Sequence, residues 1–381
     1  MSAAFAFGFG GDDIGIDEDG NESGLTDEHQ RVAQTKRETP GQPDQEIQEA
    51  QKIGLDEIFS SLPSQISFNN LSISDPSLRP STIRIPRRDV FDIRAQLMAE
   101  DDSEENANER LISGLETGDI TPAVYEGGFK TWESAIDLST TAITKYGSSL
   151  ENGTHDLEFI ELGAGTAIPS LVFLRLFLRN QRSADGTTQP PKRKINFTFA
   201  DYNAAVLKLV TFPNILLTWY TCCKNPTAEA LSELEIDSSL LDSFRHDLST
   251  RGITLSFISG GWSPCFVDLV ASESSPTNQI NTQETFILAS ETIYSPASIR
   301  PFAETVTALM RRKTGFGSDS AQDKATARAL VAAKKVYFGV GGGVDEFLET
   351  LKGVAGENLQ VRQLNDIGDQ GVVRVVLEIT V

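Results

Sequence analysis

Cysteine, histidine, basic charge and long apolar runs are all scarce in this 381-residue chain, and each scarcity closes off a class of protein. Cys222, Cys223 and Cys265 are the only three cysteines. Their number is odd and two are adjacent, so no disulfide framework is implied and a reducing compartment is the natural setting. The histidines, His29, His155 and His246, are scattered without ligand spacing to cysteines or acid clusters, which argues against a metal centre. Lysine and arginine total 33 against 54 acids, a net charge of −21. Such a chain repels phosphate backbones, so the expected partner is a basic protein and not a nucleic acid. The most apolar run, 171–178, is interrupted by Arg175 and far too short to cross a bilayer. The start, Met1-Ser-Ala-Ala-Phe5, lacks a basic n-region and leads into Asp12 and Asp13. A soluble, intracellular, monomeric protein is the expectation, with no membrane segment.

The acidity is uneven. Residues 1–120 carry 25 acids against 10 bases, whereas residues 121–381 carry 29 against 23. Residues 1–82 therefore read as a largely disordered acidic tail, with too few apolar side chains to offset the entropy of ordering. Within it, Phe5, Phe7 and Phe9 are either a docking motif or low-complexity sequence, a short helix fits 53–59, and 60–82 reads as a Ser/Pro/Asn-rich linker. Residues 83–124 read as a helical segment and acidic linker: an extended entry, a helix from about Asp89 with Val90, Ile93, Leu97 and Met98 on one face, then the acidic stretch. Residues 125–381 form the main domain.

From there, short apolar runs alternate with helical patterns. Strands are expected at 157–162, 195–200, 253–258, 285–289 and 335–339, with helices at 168–178, 297–312 and 344–351. A helix near 204–210 is expected to break at Pro213 and resume to Tyr220. Residues 359–364 and 372–381 read as a terminal hairpin. The pattern predicts an α/β fold with a mainly parallel sheet and helices on both faces. An antiparallel strand at the hairpin does not belong to the dinucleotide-binding sheet.

The strongest local signal is Phe159-Ile-Glu161-Leu-Gly163-Ala-Gly165-Thr166. An apolar strand ends in an acid and then in two glycines that let the backbone approach a ligand closely. The turn lies at the carboxyl end of a parallel strand, where open α/β sheets bind ligands. The third glycine of the dinucleotide fingerprint is missing, which weakens a dehydrogenase reading. Asp201, in Asp201-Tyr202-Asn203, suits ribose hydroxyls or a helix N-cap. Gly260, Gly261 and Trp262 close a strand; Trp262 offers a face to adenine or is simply core. Trp132 and Trp262 both offer π faces, which attract cations and flat rings. Ser290, Glu291 and Tyr294 follow the 285–289 strand, where polar groups either face the same crevice or form a capping turn for the next helix.

Val124-Tyr-Glu-Gly-Gly-Phe-Lys-Thr-Trp-Glu133, Glu161-Leu-Gly-Ala-Gly165, Asp201-Tyr-Asn203, Thr211-Phe-Pro-Asn214, Ser290-Glu-Thr-Ile-Tyr294 and Tyr337-Phe-Gly-Val-Gly-Gly-Gly343 occur in that order. Together they resemble the protein-histidine N-methyltransferase family over residues 83–381. The resemblance implies a seven-strand, Rossmann-like class I S-adenosylmethionine-dependent methyltransferase, preceded by the acidic region. The implied acceptor is a histidine of a ribosomal protein, the third in the universal large-subunit naming. By position, the cofactor contacts would be Thr131, Trp132, Glu133, Ser134, Ala135, Glu161, Gly163, Gly165, Asp201, Tyr202, Asn203, Gly260, Gly261, Trp262 and Ser290. Glu133, Glu291 and the Tyr294 hydroxyl are candidates to orient the acceptor imidazole. A lysine methyltransferase of the same fold and a non-catalytic ribosome-assembly factor are the alternatives. The insertion at 181–194 ends in Pro190-Pro-Lys-Arg-Lys194, a nuclear address or a solvated loop; cytoplasm and nucleus are the expected locations.

Overall fold

The computed structural model describes residues 48–74, 81–99, 127–180, 193–224, 233–273, 283–314, 325–339, 341–356, 359–369 and 372–381. All of them belong to a compact unit running from Gln45 to Val381. The expectations for 1–47, the acidic stretch after Ala99 and the 181–192 insertion lie outside the described residues.

Eight strands form one sheet in the order β1 (Gln51–Ile53), β7 (Ile253–Ser259), β5 (Ile195–Asp201), β4 (Asp156–Leu162), β8 (Gln283–Ser290), β9 (Thr326–Lys334), β11 (Val372–Thr380), β10 (Gln360–Asp369). β7, β5, β4, β8 and β9 run parallel, and β11 is antiparallel to both β9 and β10. Leaving out β1, this is the strand order of the seven-strand methyltransferase sheet. The order reverses between β4 and β8, which opens a crevice at their carboxyl ends.

Strand periodicity separates the two faces. Phe159 and Phe197 point to one core with Phe257 and Phe286; Ile160, Leu162, Ile258 and Ile287 point to the other. Phe159 stacks on Phe197 at 4.9 Å and on Phe286 at 5.4 Å, its direct neighbours in register. Such cross-strand aromatic pairs align the strands that carry the crevice. The first face is covered by α3 (Glu133–Asn152), α4 (Ile168–Asn180), α5 (Ala204–Lys224) and α6 (Ser238–Thr250). The second is covered by α7 (Pro264–Ser272), α8 (Pro296–Lys313) and α9 (Val344–Ala355).

Three expectations are corrected. First, the fold does not begin at residue 125, nor is 60–82 a linker. β1 joins the sheet beside β7, α1 (Leu55–Ser60) follows it, and β2 (Gln65–Ser74) pairs with β3 (Thr82–Arg88) and β6 (Glu233–Glu235). Ile66, Phe68 and Ile73 are buried between Ser and Asn residues that made β2 look like linker. The helix after β3, α2 (Val90–Ala99), buries Ile93 and Leu97, while Val90 and Met98 are exposed.

Second, the fifth parallel strand is β9, not 335–339. Its Ala-rich sequence hid it, and Lys335 begins a loop closed by the Val336–Gly343 bridge. Third, α5 is not broken at Pro213: the helix widens to π geometry over Leu207–Thr211, and Pro213 sits at the start of the α segment Phe212–Trp219. The Leu209 carbonyl, four residues earlier, cannot take an N–H from proline; it accepts Nη1 of buried Arg88 at 2.9 Å. Among the described residues one helix, α5, is long and apolar enough to cross a membrane, and 78% of its apolar window is buried in the fold.

Candidate active site

The crevice is built on the glycine turn after β4. Gly163 and Gly165 have φ of 67° and 49°, the left-handed region that side chains resist. A Cβ on Gly163 would come 2.9 Å from Thr292 Cγ2, and one on Gly165 would come 3.1 Å from the Gly128 carbonyl oxygen. The turn is held from three sides. Gly165 N–H donates to Asp201 Oδ2 at 2.9 Å, Thr211 Oγ1 donates to Gly165 O at 2.6 Å, and Asn214 Nδ2 donates to Thr166 O at 3.0 Å. Asn214 Oδ1 in turn accepts Arg88 N–H at 2.7 Å, so β3 is wired to the glycine turn through one buried amide.

The lining runs from Gly127, Lys130 and Trp132, past Gly163–Thr166, to Asp201, Tyr202, Gly261 and Trp262, with Ser290–Thr292 and Tyr294 as the opposite wall. Of the expected residues it brings together Trp132, Ala135, Gly163, Gly165, Asp201, Tyr202, Gly261, Trp262, Ser290, Glu291 and Tyr294. Thr131, Ser134, Asn203 and Gly260 adjoin this lining without entering it, whereas Glu133 and Glu161 lie away from it. Thr131 bonds Thr166 through their hydroxyls at 3.1 Å, Ser134 donates to Glu291, and Gly260 backs onto the β1 strap. A Cβ on Gly260 would lie 2.6 Å from Ala50 Cα, and Gly261 N–H donates to Gln48 O at 3.0 Å.

Three roles need revising. Glu161 does not reach the crevice: it shares Phe159's side of β4 and accepts Ser170 N–H at 3.0 Å, at the start of α4. Burial pushes its carboxyl up to about 8. Glu133 is exposed at the first turn of α3 and does not line the crevice. Trp132 lines it, but its ring already meets Lys130 Nζ at 4.9 Å and Lys334 Nζ at 5.4 Å. Two ammonium groups disfavour a third cation there. Trp262 instead packs edge-on to Phe266 and Phe302, 5.1 and 5.8 Å between centroids, and is both core and lining.

Asp201 is 5% exposed and accepts N–H from Gly165 and, at 3.1 Å, from Asn203. Burial still pushes it up to about 6. Glu291, with φ 57°, is the other crevice acid, and burial raises its pKa against the pull of Ser134, Tyr337 and Lys334. Lys130, Thr166 and Thr292 were not expected to line the crevice, although each falls within or beside a quoted motif. Asn203 Nδ2 and Thr292 Oγ1 are buried without a hydrogen-bond partner among the described residues. Buried orphans of this kind at a crevice mark where a polar ligand would bond. Among the described residues no group of three or more His, Cys, Asp or Glu is placed to hold a metal.

A reversed parallel sheet with an antiparallel seventh strand, a close-approach glycine turn and an acid at the end of the next strand define the class: an S-adenosylmethionine-dependent methyltransferase. No protein-family model matches the chain. Individual proteins do. It is 32% identical over 279 residues to Histidine protein methyltransferase 1 of Saccharomyces cerevisiae, covering 68% of this chain and 67% of that one. Identity is 33% over 275 residues to the protein of that name from Schizosaccharomyces pombe, covering 70% and 68%. For the Rattus norvegicus homolog it is 28% over 270 residues, covering 69% and 59%. The chain belongs to the histidine protein methyltransferase 1 family. Among solved structures, the rRNA methyltransferase aviRa from Streptomyces viridochromogenes aligns at 12% identity, with a TM-score of 0.32, over 73% of this chain and 96% of that one.

Proposed function

We propose that this protein moves a methyl group from S-adenosylmethionine to a ring nitrogen of a histidine in a basic ribosomal protein, the third of the universal large-subunit set. The observation that carries the reading is one crevice with two acids in different settings: Asp201 bonded to the glycine turn, and Glu291 across from it on the wall shared with Tyr294. The fit to the cofactor rests on the Cβ-free approach at Gly163 and Gly165, the orphaned Asn203 and Thr292 atoms, and the distribution of charge.

When bound, S-adenosylmethionine supplies a methyl already activated by positive sulfur. Trp262 and Gly261 offer a flat wall to an adenine, and Asp201 has lone pairs left for ribose hydroxyls. Lys130 is the cation among the described lining residues and suits a carboxylate. The protein's main work is orientation, which can lower a bimolecular barrier by about 7–11 kcal/mol when geometry is good. Glu291 accepts the N–H of the acceptor imidazole, so that the other ring nitrogen presents its lone pair, and it stabilises the imidazolium that forms. The net charge of −21 suits a basic acceptor protein. Cytoplasm and nucleus are the proposed locations.

The test is incubation of purified protein with methyl-labelled S-adenosylmethionine and lysate from cells lacking it, followed by mass-spectrometric site mapping. Label on a histidine of that ribosomal protein is expected. Label on lysine sinks the acceptor assignment, and absence of S-adenosylhomocysteine binding by calorimetry sinks the enzyme reading, favouring an assembly factor.

A further inference from the structure

Glu291 sits where a side chain resists being. Its φ of 57° costs about 1–2 kcal/mol for a residue with a Cβ, so its surroundings must hold it. Its own N–H is tied to Ala332 O at 2.9 Å on β9. Both carboxylate oxygens are engaged by hydroxyl donors: Ser134, fully buried at the start of α3, donates to Oε1, and Tyr337 donates to Oε2. Tyr337 is 9% exposed and its oxygen also accepts Lys334 N–H at 3.3 Å.

The loop after β9 fixes the tyrosine. Tyr337 N–H donates to Gly342 O, Gly341 N–H to Tyr337 O and Gly342 N–H to Tyr294 O, each at 3.1 Å. A side chain on Gly342 would collide with the Tyr294 backbone, and a Cβ on Gly343 would lie 2.6 Å from Lys335 O. The glycine run thus lets one loop grip Glu291 through Tyr337 and Tyr294 through its backbone. The Tyr294 and Tyr337 rings meet edge to face at 6.5 Å.

We propose that Tyr337 is a positioning residue for methyl transfer, which with Ser134 aims the Glu291 carboxylate at the acceptor side of the crevice. The inference rests on the reading that Glu291 orients the acceptor. The charged and titratable groups facing Glu291 are Glu133 on α3, Lys334 and Tyr337 at and after the end of β9, and Arg374 on β11. Loss of the Tyr337 hydroxyl removes a donor that favours the charged form, so the acid limb of the rate profile moves to higher pH.

The experiment uses the full chain with Tyr337→Phe, Ser134→Ala and Glu291→Gln, and a large-subunit ribosomal protein fraction from cells lacking the enzyme as acceptor. In Tyr337→Phe, kcat is expected to fall about tenfold, with the S-adenosylhomocysteine Kd within about twofold and the acid limb shifted upward. Ser134→Ala, which leaves the loop untouched, is expected to move kcat and the limb the same way. Adding Tyr337→Phe to Glu291→Gln is expected to cost nothing more, because both act through one group. Independently of any acceptor, the Glu291 carboxyl carbon, followed by NMR and assigned with Glu291→Gln, is expected to titrate at higher pH in Tyr337→Phe. An unchanged kcat and titration in Tyr337→Phe, or a full additional loss in the double variant, overturns the proposal. Full activity of Glu291→Gln overturns the underlying reading as well. If wild type methylates nothing in that fraction, the acceptor assignment fails and the NMR titration alone decides on Tyr337.

Discussion

Asp201→Asn isolates the contact on which the crevice depends. The two side chains have the same shape, so the buried position keeps its packing and only the bonding changes. The carboxylate receives Gly165 N–H on one oxygen at 2.9 Å and Asn203 N–H on the other at 3.1 Å. An amide keeps one acceptor and turns a donor towards the other N–H, leaving a buried backbone group unmatched at a cost of about 1–3 kcal/mol. If the glycine turn carries that cost into ligand binding, affinity falls about 5- to 150-fold. The pH dependence adds a second test. Burial pushes Asp201 up to about 6, so the carboxylate is ionised at pH 7.5 and mostly protonated at pH 5. A raised carboxyl pKa means that its stability contribution is greatest at low pH and is lost as pH rises through about 6. Binding runs the other way, since only the ionised form can accept both N–H groups and a ribose hydroxyl. Calorimetry with S-adenosylhomocysteine should therefore show wild-type affinity weakening below pH 6 and converging on that of the variant by about pH 5. Equal affinities at pH 7.5, or a ratio that ignores pH, would refute the reasoning.

Three further outcomes follow from named contacts. Glu161, pushed up to about 8, stabilises the fold at low pH and loses that contribution as pH rises through about 8. The wild-type urea midpoint should therefore drop between about pH 5 and 8 by a few kcal/mol more than that of Glu161→Gln, which keeps only the Asp201 dependence. Gly260→Ala places a methyl 2.6 Å from Ala50 Cα at φ 126° and should cost about 2–4 kcal/mol in denaturant titration. Faster hydrogen exchange at Gln51–Ile53 should accompany it, and unchanged exchange would mean that the strap is not packed on that glycine. Asn214→Ala leaves Arg88 N–H and Thr166 O without their partner and should cost about 2–5 kcal/mol. A change under about 0.5 kcal/mol in chemical unfolding would show that β3 and the glycine turn are not coupled through it.

What could be read in advance was what strand and turn chemistry make local. The apolar runs at β4, β5, β7 and β8 announced themselves, as did the glycine turn and the terminal hairpin, because a buried parallel strand must be apolar on both faces. β9 escaped because Thr-Ala-Arg-Ala-Leu-Val-Ala-Ala-Lys carries helix-forming alanines whose strand state is imposed by β8 on one side and β11 on the other. β2 escaped because its three buried residues are diluted by Ser and Asn, and they gain burial only once α1, β3 and the helices of the first core pack around them. Glu161 was misplaced by parity alone: one position along β4 separates the side that meets α4 from the side that meets the second core.

The sequence by itself determined the class of sheet and the place of the crevice, since both follow from periodicity and from glycines that admit a close backbone approach. Which acids face that crevice was decided by tertiary structure, because the direction of a side chain depends on the layers packed against its strand. Tyr337 reaches Glu291 across 46 residues only when β9 lies beside β8 and a glycine loop turns back on Tyr294. No local pattern encodes that meeting, which exists only once the sheet is assembled.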